Sequence, residues 1–170
     1  TLATRTNRLV VVSAPGDPGS GVPVTPSRAM TAVKNAGSAG RRRGRPSPRT
    51  LTAAELEAST WLLREPGSGT RATAEAFLDG IGISPRILTF GSNGAVVESV
   101  RIGLGVTLVS ADAVAADLRA GALEEWRHPG LPIDRPWHLL ARAGEPLAPT
   151  PERFVTHLLN SGWERPIASA

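Results

Sequence analysis

A chain of 170 residues with 41% apolar content can fold around a modest core, and none of its runs approaches the roughly 18 apolar residues of a membrane span. The absence of cysteine excludes disulfides and thiolate metal sites, and His128, His138 and His157 are too far apart for a metal cage, so neither a metal nor a cofactor is expected. The net charge of +4 is misleading as a nucleic-acid signal: residues 1–50 carry nine Lys/Arg against Asp17 alone, whereas residues 51–170 carry ten against fourteen acids, so the regular part is acidic.

Along the chain, Arg8-Leu-Val-Val-Val-Ser13 is a β-branched apolar run closed by Ala14-Pro15-Gly16, which predicts a buried strand and a turn. Residues 16–50 are dominated by Gly, Pro, Ser, Arg and Ala without a sustained period. That composition predicts a disordered basic insertion, because it offers too little apolar surface to offset the entropy of ordering. Regularity begins at Thr52-Ala-Ala-Glu55, a capping box that opens a short helix, and continues with Trp61–Arg64 as a strand. Ala74, Phe77 and Leu78 stand at helical spacing within Thr70–Asp79, with Gly80 as the stop, and Ile87–Phe90 reads as the next strand. Ser92 is placed to cap a helix with Val96, Val97 and Val100 as its apolar stripe and Glu98 and Arg101 outward.

Val106–Val109 follows as a strand, Asp112–Ala120 as a helix ending at Gly121, and Ala122–Trp126 and Trp137–Ala141 as two more strands. The last helix has Thr150 as N-cap, Pro151 at its first position, Glu152 near the positive dipole end, and Phe154, Val155, Leu158 and Leu159 as its stripe, with Gly162 beyond. Strands alternating with helices over short connections predict an α/β fold with a mainly parallel sheet flanked by helices.

In such sheets the strand-to-helix loops gather on one edge, where free backbone N–H groups and helix dipoles favour an anion. Two loops suit that role: Glu65-Pro-Gly-Ser-Gly-Thr70, in which Gly67 and Gly69 permit close approach while Ser68 and Thr70 supply hydroxyls, and Gly91-Ser-Asn-Gly94, with Ser92 and Asn93. Gly- and Ser-rich turns also occur wherever a helix needs a cap, so each loop alone has a purely structural explanation. Catalysis is not expected: Gly67-Ser68-Gly69 lacks the wider Gly-x-Ser-x-Gly elbow, and no histidine stands near it in sequence. Gly80-Ile-Gly82 and Gly103-Leu-Gly105 lack the third glycine of a dinucleotide fingerprint. Within the insertion, Arg41-Arg-Arg-Gly-Arg-Pro46 contains the Arg-Gly-Arg-Pro core of an AT-hook, which would lay Arg43 and Arg45 in the minor groove of A·T-rich DNA; a solvated linker is the competing reading.

Trp61-Leu-Leu-Arg-Glu-Pro-Gly-Ser-Gly-Thr-Arg71, Gly91-Ser-Asn93 and Gly103-Leu-Gly-Val106 occur in an order and spacing that resemble the effector domain of LysR-type transcriptional regulators. The resemblance continues through Ser110-Ala-Asp-Ala-Val114, Gly130-Leu-Pro-Ile133 and Pro136-Trp-His-Leu-Leu140. It implies an incomplete periplasmic-binding-protein-like (type 2) fold: residues 1–15 as the first crossing hinge strand, 16–50 as the insertion, 51–136 as the second α/β subdomain, and 137–170 as the return strand and C-terminal helix. A small anionic effector would lie between two subdomains, with Ser92 and Asn93 in contact and Gly67, Ser68, Gly69 and Thr70 along the same edge.

The lack of a membrane-length apolar run, and a start at Thr1–Arg8 that is not a basic patch feeding an apolar signal core, lead to an expectation of a cytoplasmic chain without membrane contact. The resemblance further implies a regulator that is homo-oligomeric at full length. By the same resemblance its promoter DNA would be read by a winged helix-turn-helix head outside this chain, where the first subdomain and the linker helix would also lie. A transporter's solute-binding protein would share the fold and is the alternative reading.

Overall fold

The computed structural model describes residues 1–16 and 50–166. The insertion expected over 16–50, with its Arg43 and Arg45, lies outside these residues apart from Gly16 and Thr50. The fold divides into two compact units, one comprising Leu9–Ile133 and the other Thr1–Arg8 with the described part of Asp134–Ala170.

In the first unit the strands and helices fall close to the positions that periodicity gives. Strand β1 (Ala3–Ser13) contributes its second half; helix α1 (Ala53–Glu57), strand β2 (Trp61–Arg64), helix α2 (Gly69–Gly80), strand β3 (Ile87–Phe90) and helix α3 (Asn93–Arg101) follow. Strand β4 (Thr107–Ser110) leads through a 3₁₀ turn, Ala111–Val114, into helix α4 (Ala115–Ala120) and strand β5 (Glu124–Trp126). The capping box at α1 is present in full: the Glu55 N–H donates to Thr52 Oγ1 at 3.3 Å, and the Thr52 N–H donates to Glu55 Oε2 at 2.9 Å. Helix α4 ends at Gly121, whose φ of 70° is the left-handed conformation a glycine adopts without steric cost.

The sheet pairing corrects one expectation. Strands β2 and β3 are parallel, with Trp61 opposite Ile87 and Arg64 opposite Phe90, and a parallel bridge joins Trp61 to Val106 just before β4. Strand β1, however, runs antiparallel to both β4 and β5, so the sheet is mixed rather than mainly parallel. Parallel neighbours need a crossover of about a dozen residues, which α2 supplies between β2 and β3. Strand β1 enters from outside that succession, so no crossover fixes its direction. Its pattern over Leu9–Ser13 carries no direction either, because both faces are buried there.

That double burial explains the continuous apolar runs. Leu9, Val11, Trp61, Leu63 and Leu108 point to one face, where Ala74, Phe77 and Leu78 of α2 cover them. Val10, Val12, Leu62 and Val109 point to the other, under Val96 and Val100 of α3 and Val114. Alternation of side chains along each strand thus builds two cores on one sheet. The close approach of β2 to the segment before β4 depends on Gly105, because a Cβ there would stand 2.2 Å from the Thr60 carbonyl oxygen. With no side chain in the way, the Val106 N–H reaches Thr60 O at 2.9 Å and the Leu62 N–H reaches Val106 O at 2.8 Å.

The second unit pairs the start of β1 with strand β6 (Ile133–Leu139) and carries helix α5 (Pro149–Leu159). The Leu2 N–H donates to Leu139 O at 2.7 Å, and Thr4 and Glu164 exchange two backbone hydrogen bonds of 2.8 Å. Strand β6 starts before the expected Trp137. Pro136 disguises that start, since proline lacks a donor, but a ladder asks only alternate residues to donate toward a given neighbour. Helix α5 begins at Pro149 with Ala148 as its cap, not at Thr150 and Pro151. Both prolines lie in the first turn, where no N–H is required, and the earlier one sets the start. Its stripe is only partly covered: Val155, Leu158 and Leu159 are half-buried and Phe154 is 53% exposed.

Candidate functional site

The parallel β2–β3 pair sends two loops to the same edge of the sheet, one into α2 and one into α3. Gly67, with φ of 92°, makes the first turn possible, and Ser68 is the N-cap residue of α2 by backbone conformation, without a side-chain cap hydrogen bond. Its hydroxyl is thereby left out of the capping, and Gly69 and Thr70 form the first turn of the helix. In the second loop the Ser92 hydroxyl accepts the Ala95 N–H at 3.1 Å, as its N-cap position requires, which leaves the hydroxyl proton to donate. Asn93 stands at the first position of α3, exposed.

The two loops meet at a small, shallow recess bordered by Arg64, Thr70, Arg71, Asn93 and Thr107, with Leu63, Val96, Leu108 and Val109 behind. Of the residues expected from the sequence, Thr70 and Asn93 border it; Gly67, Ser68, Gly69 and Ser92 stand in the same two loops but do not line it. Arg64 and Arg71 are additions that the sequence reading passed over. The available signal was an arginine at the carboxyl end of a strand leading into a glycine-rich turn, which is where open sheets bind anions.

The two arginines cross-link the site. Arg64 donates from Nε and Nη2 to both oxygens of Glu65, at 2.8 and 2.7 Å, and from Nη1 to Asn93 Oδ1 at 2.7 Å, so one guanidinium spans both loops. Arg71 donates from Nη1 to the Arg64 carbonyl at 2.9 Å and to Thr89 Oγ1 at 3.1 Å, and from Nε to Glu75 Oε1 at 2.7 Å. The Arg64 hydrogen bonds, helped by a backbone hydrogen bond and by charge attraction, outweigh desolvation and lower the Glu65 carboxyl to about 2. The bottom of the recess is fixed by Thr107, whose buried hydroxyl donates to Leu62 O at 2.6 Å.

A parallel βαβα unit with two helix starts, hydroxyls and arginines on one edge has the form in which open α/β sheets hold ligands. Comparison with known proteins makes the assignment specific. Residues 42–163 match the family described as LysR substrate binding domain, and the chain belongs to that family.

Among curated relatives, the HTH-type transcriptional regulator CbbR of Rhodospirillum rubrum is 38% identical over 111 residues, covering 65% of this chain and 37% of that protein. The RuBisCO operon transcriptional regulator of Acidithiobacillus ferrooxidans is 40% identical over 99 residues, covering 58% of this chain and 32% of that protein. The chain therefore spans about a third of the length of these relatives. The regulatory domain of Synechocystis PCC6803 CcmR, solved in complex with 2-PG, matches with a TM-score of 0.68 at 22% identity, covering 94% of this chain and 66% of that one. The effector binding domain of QuiR, in complex with shikimate, matches with a TM-score of 0.57 at 15% identity, covering 92% of this chain and 62% of that one. These two likenesses are of fold: the chain is a partial, mixed α/β domain of the LysR effector-binding type. The family assignment takes the regulator side of the two readings and leaves the transporter component without support.

Proposed function

We propose that this chain is the second subdomain, residues 51–136, of the effector-binding domain of a LysR-type transcriptional regulator, with residues 1–15 and the strand near Trp137 as its crossing strands and residues 137–170 completing the piece. It takes a small anionic metabolite at the edge carrying Ser92, Asn93 and the Gly67–Thr70 loop, and it works as a sensor rather than a catalyst. In the full-length, homo-oligomeric cytoplasmic protein, ligand binding biases the arrangement of the domain and so the grip of a helix-turn-helix head on promoter DNA. Among the described residues no helix is long and apolar enough to cross a membrane.

The observation that carries the proposal is the convergence of both loops on one recess, with two guanidinium groups and two helix N-termini at its rim. Shikimate, the ligand of one fold neighbour, carries a carboxylate that such a rim suits. The test is a calorimetric titration of the intact protein and of Ser92→Ala with 2-PG, shikimate and inorganic phosphate. Saturable binding of at least one anion, weakened about tenfold in Ser92→Ala, is the expected result. Equal affinities would remove Ser92 from the site, and no binding of any anion would overturn the reading.

A further inference from the structure

Within the site proposed above, we infer that Arg64 is the side chain that grips the ligand's anion and that Glu65 is a resident carboxylate occupying that grip, so that ligand and Glu65 compete for one guanidinium. The geometry is the ground for this. Glu65 takes the Nε–Nη2 fork of Arg64 in the two-point manner, 2.8 and 2.7 Å, in which a ligand carboxylate or phosphate would itself bind. Arg71 is differently engaged: its Nε is held by Glu75, and its Nη1 by the Arg64 carbonyl and Thr89, so it braces the backbone under Arg64.

The two members of the pair are unequally placed. The Arg64 side chain is 22% exposed and borders the recess, whereas that of Glu65 is 42% exposed and does not. Glu65 can therefore swing into water, where its charge is solvated, while Arg64 cannot leave without abandoning Asn93 on the neighbouring loop. A ligand anion entering the recess replaces one carboxylate by another on the same fork, and the Arg64–Asn93 hydrogen bond keeps the guanidinium aimed during the exchange. Glu65 then sets the affinity by lowering it, and it favours planar or tetrahedral oxyanions able to take two N–H groups over simple halides.

Titration of the intact protein with inorganic phosphate, followed by backbone amide shifts, tests this in four forms: wild type, Glu65→Gln, Arg64→Lys and Asp79→Asn. Glu65→Gln is expected to tighten binding about tenfold, and Arg64→Lys to weaken it about tenfold although the charge is kept. Asp79→Asn, which removes an equal charge from the far end of α2, is expected to change affinity by less than about twofold. Glu65→Gln without tighter binding, or Asp79→Asn with an equal gain, would overturn the competition while leaving the binding site intact. Phosphate ignored by all four forms would instead overturn the underlying reading of the site, and this inference with it.

Discussion

Two residues illustrate how much a single position can decide. Gly105 is required by space rather than by backbone conformation, since the Cβ of any other residue would collide with the Thr60 carbonyl at 2.2 Å. Gly105→Ala must push β2 away from Val106 and break the hydrogen bonds between them, and it is expected to cost at least about 1–3 kcal/mol of unfolding free energy in urea titrations. Glu65 is decided by charge. Its carboxyl is lowered from the ordinary 4.5 to about 2, so the pairing with Arg64 contributes fully above pH 4.5 and is lost as pH falls from there through about 2. A carboxyl-carbon titration by NMR should place the Glu65 midpoint near 2; a midpoint near 4.5 would show that the pair is not formed in solution.

The elements owe their limits to short-range chemistry and their orientation to burial. Helix α1 has five residues, too few to hold by hydrogen bonding alone, and survives through its capping box and the buried Leu56. Thr52→Ala removes one half of that box and leaves the Glu55 N–H without its acceptor. It is expected to lower stability by about 1 kcal/mol, with Thr52→Ser restoring most of the loss. Helices α3 and α4 are joined by Arg101, which donates to Asp117 at 2.7 Å and also pairs with Glu98. Its position in the last turn of α3 suits the negative end of that helix's dipole.

Over the whole molecule the described apolar core is unevenly distributed. Nearly all buried apolar side chains belong to the Leu9–Ile133 unit; the other unit contributes Ala3 alone. The fully buried Trp61, whose Nε1–H donates to Leu56 O at 2.9 Å, should be costly to remove: Trp61→Ala is expected to lose about 3–5 kcal/mol. Phe154, half exposed on α5, should behave oppositely, with Phe154→Ser changing the unfolding free energy by less than about 0.5 kcal/mol. Equilibrium denaturation of the two variants side by side checks the contrast. A loss at Phe154 comparable to that at Trp61 would show that α5 is packed in solution.

The sequence alone determined the elements whose signals are local. The capping box at Thr52, the strand Trp61–Arg64, the strand Ile87–Phe90, the Ser92 cap and the Gly121 stop all depend on neighbours within about four residues, and each lies in the structure where the pattern puts it. The ordered motifs from Trp61 to Leu140 also sufficed for the family. Tertiary structure alone decided what depends on partners far along the chain. The direction of β1 is one case, because a run buried on both faces, as Leu9–Ser13 is, gives no sign of which neighbour it will pair with or how.

Arg64 is the other case. As letters, Arg64 and Glu65 are a solvated pair of opposite charges beside a glycine-rich turn. Only when β2 and β3 align in parallel does the guanidinium come within 2.7 Å of Asn93, 29 positions away, and take its place at the rim of a recess. Spacing along a chain specifies which loop follows which strand, whereas the contact between two loops requires the sheet that brings their ends together.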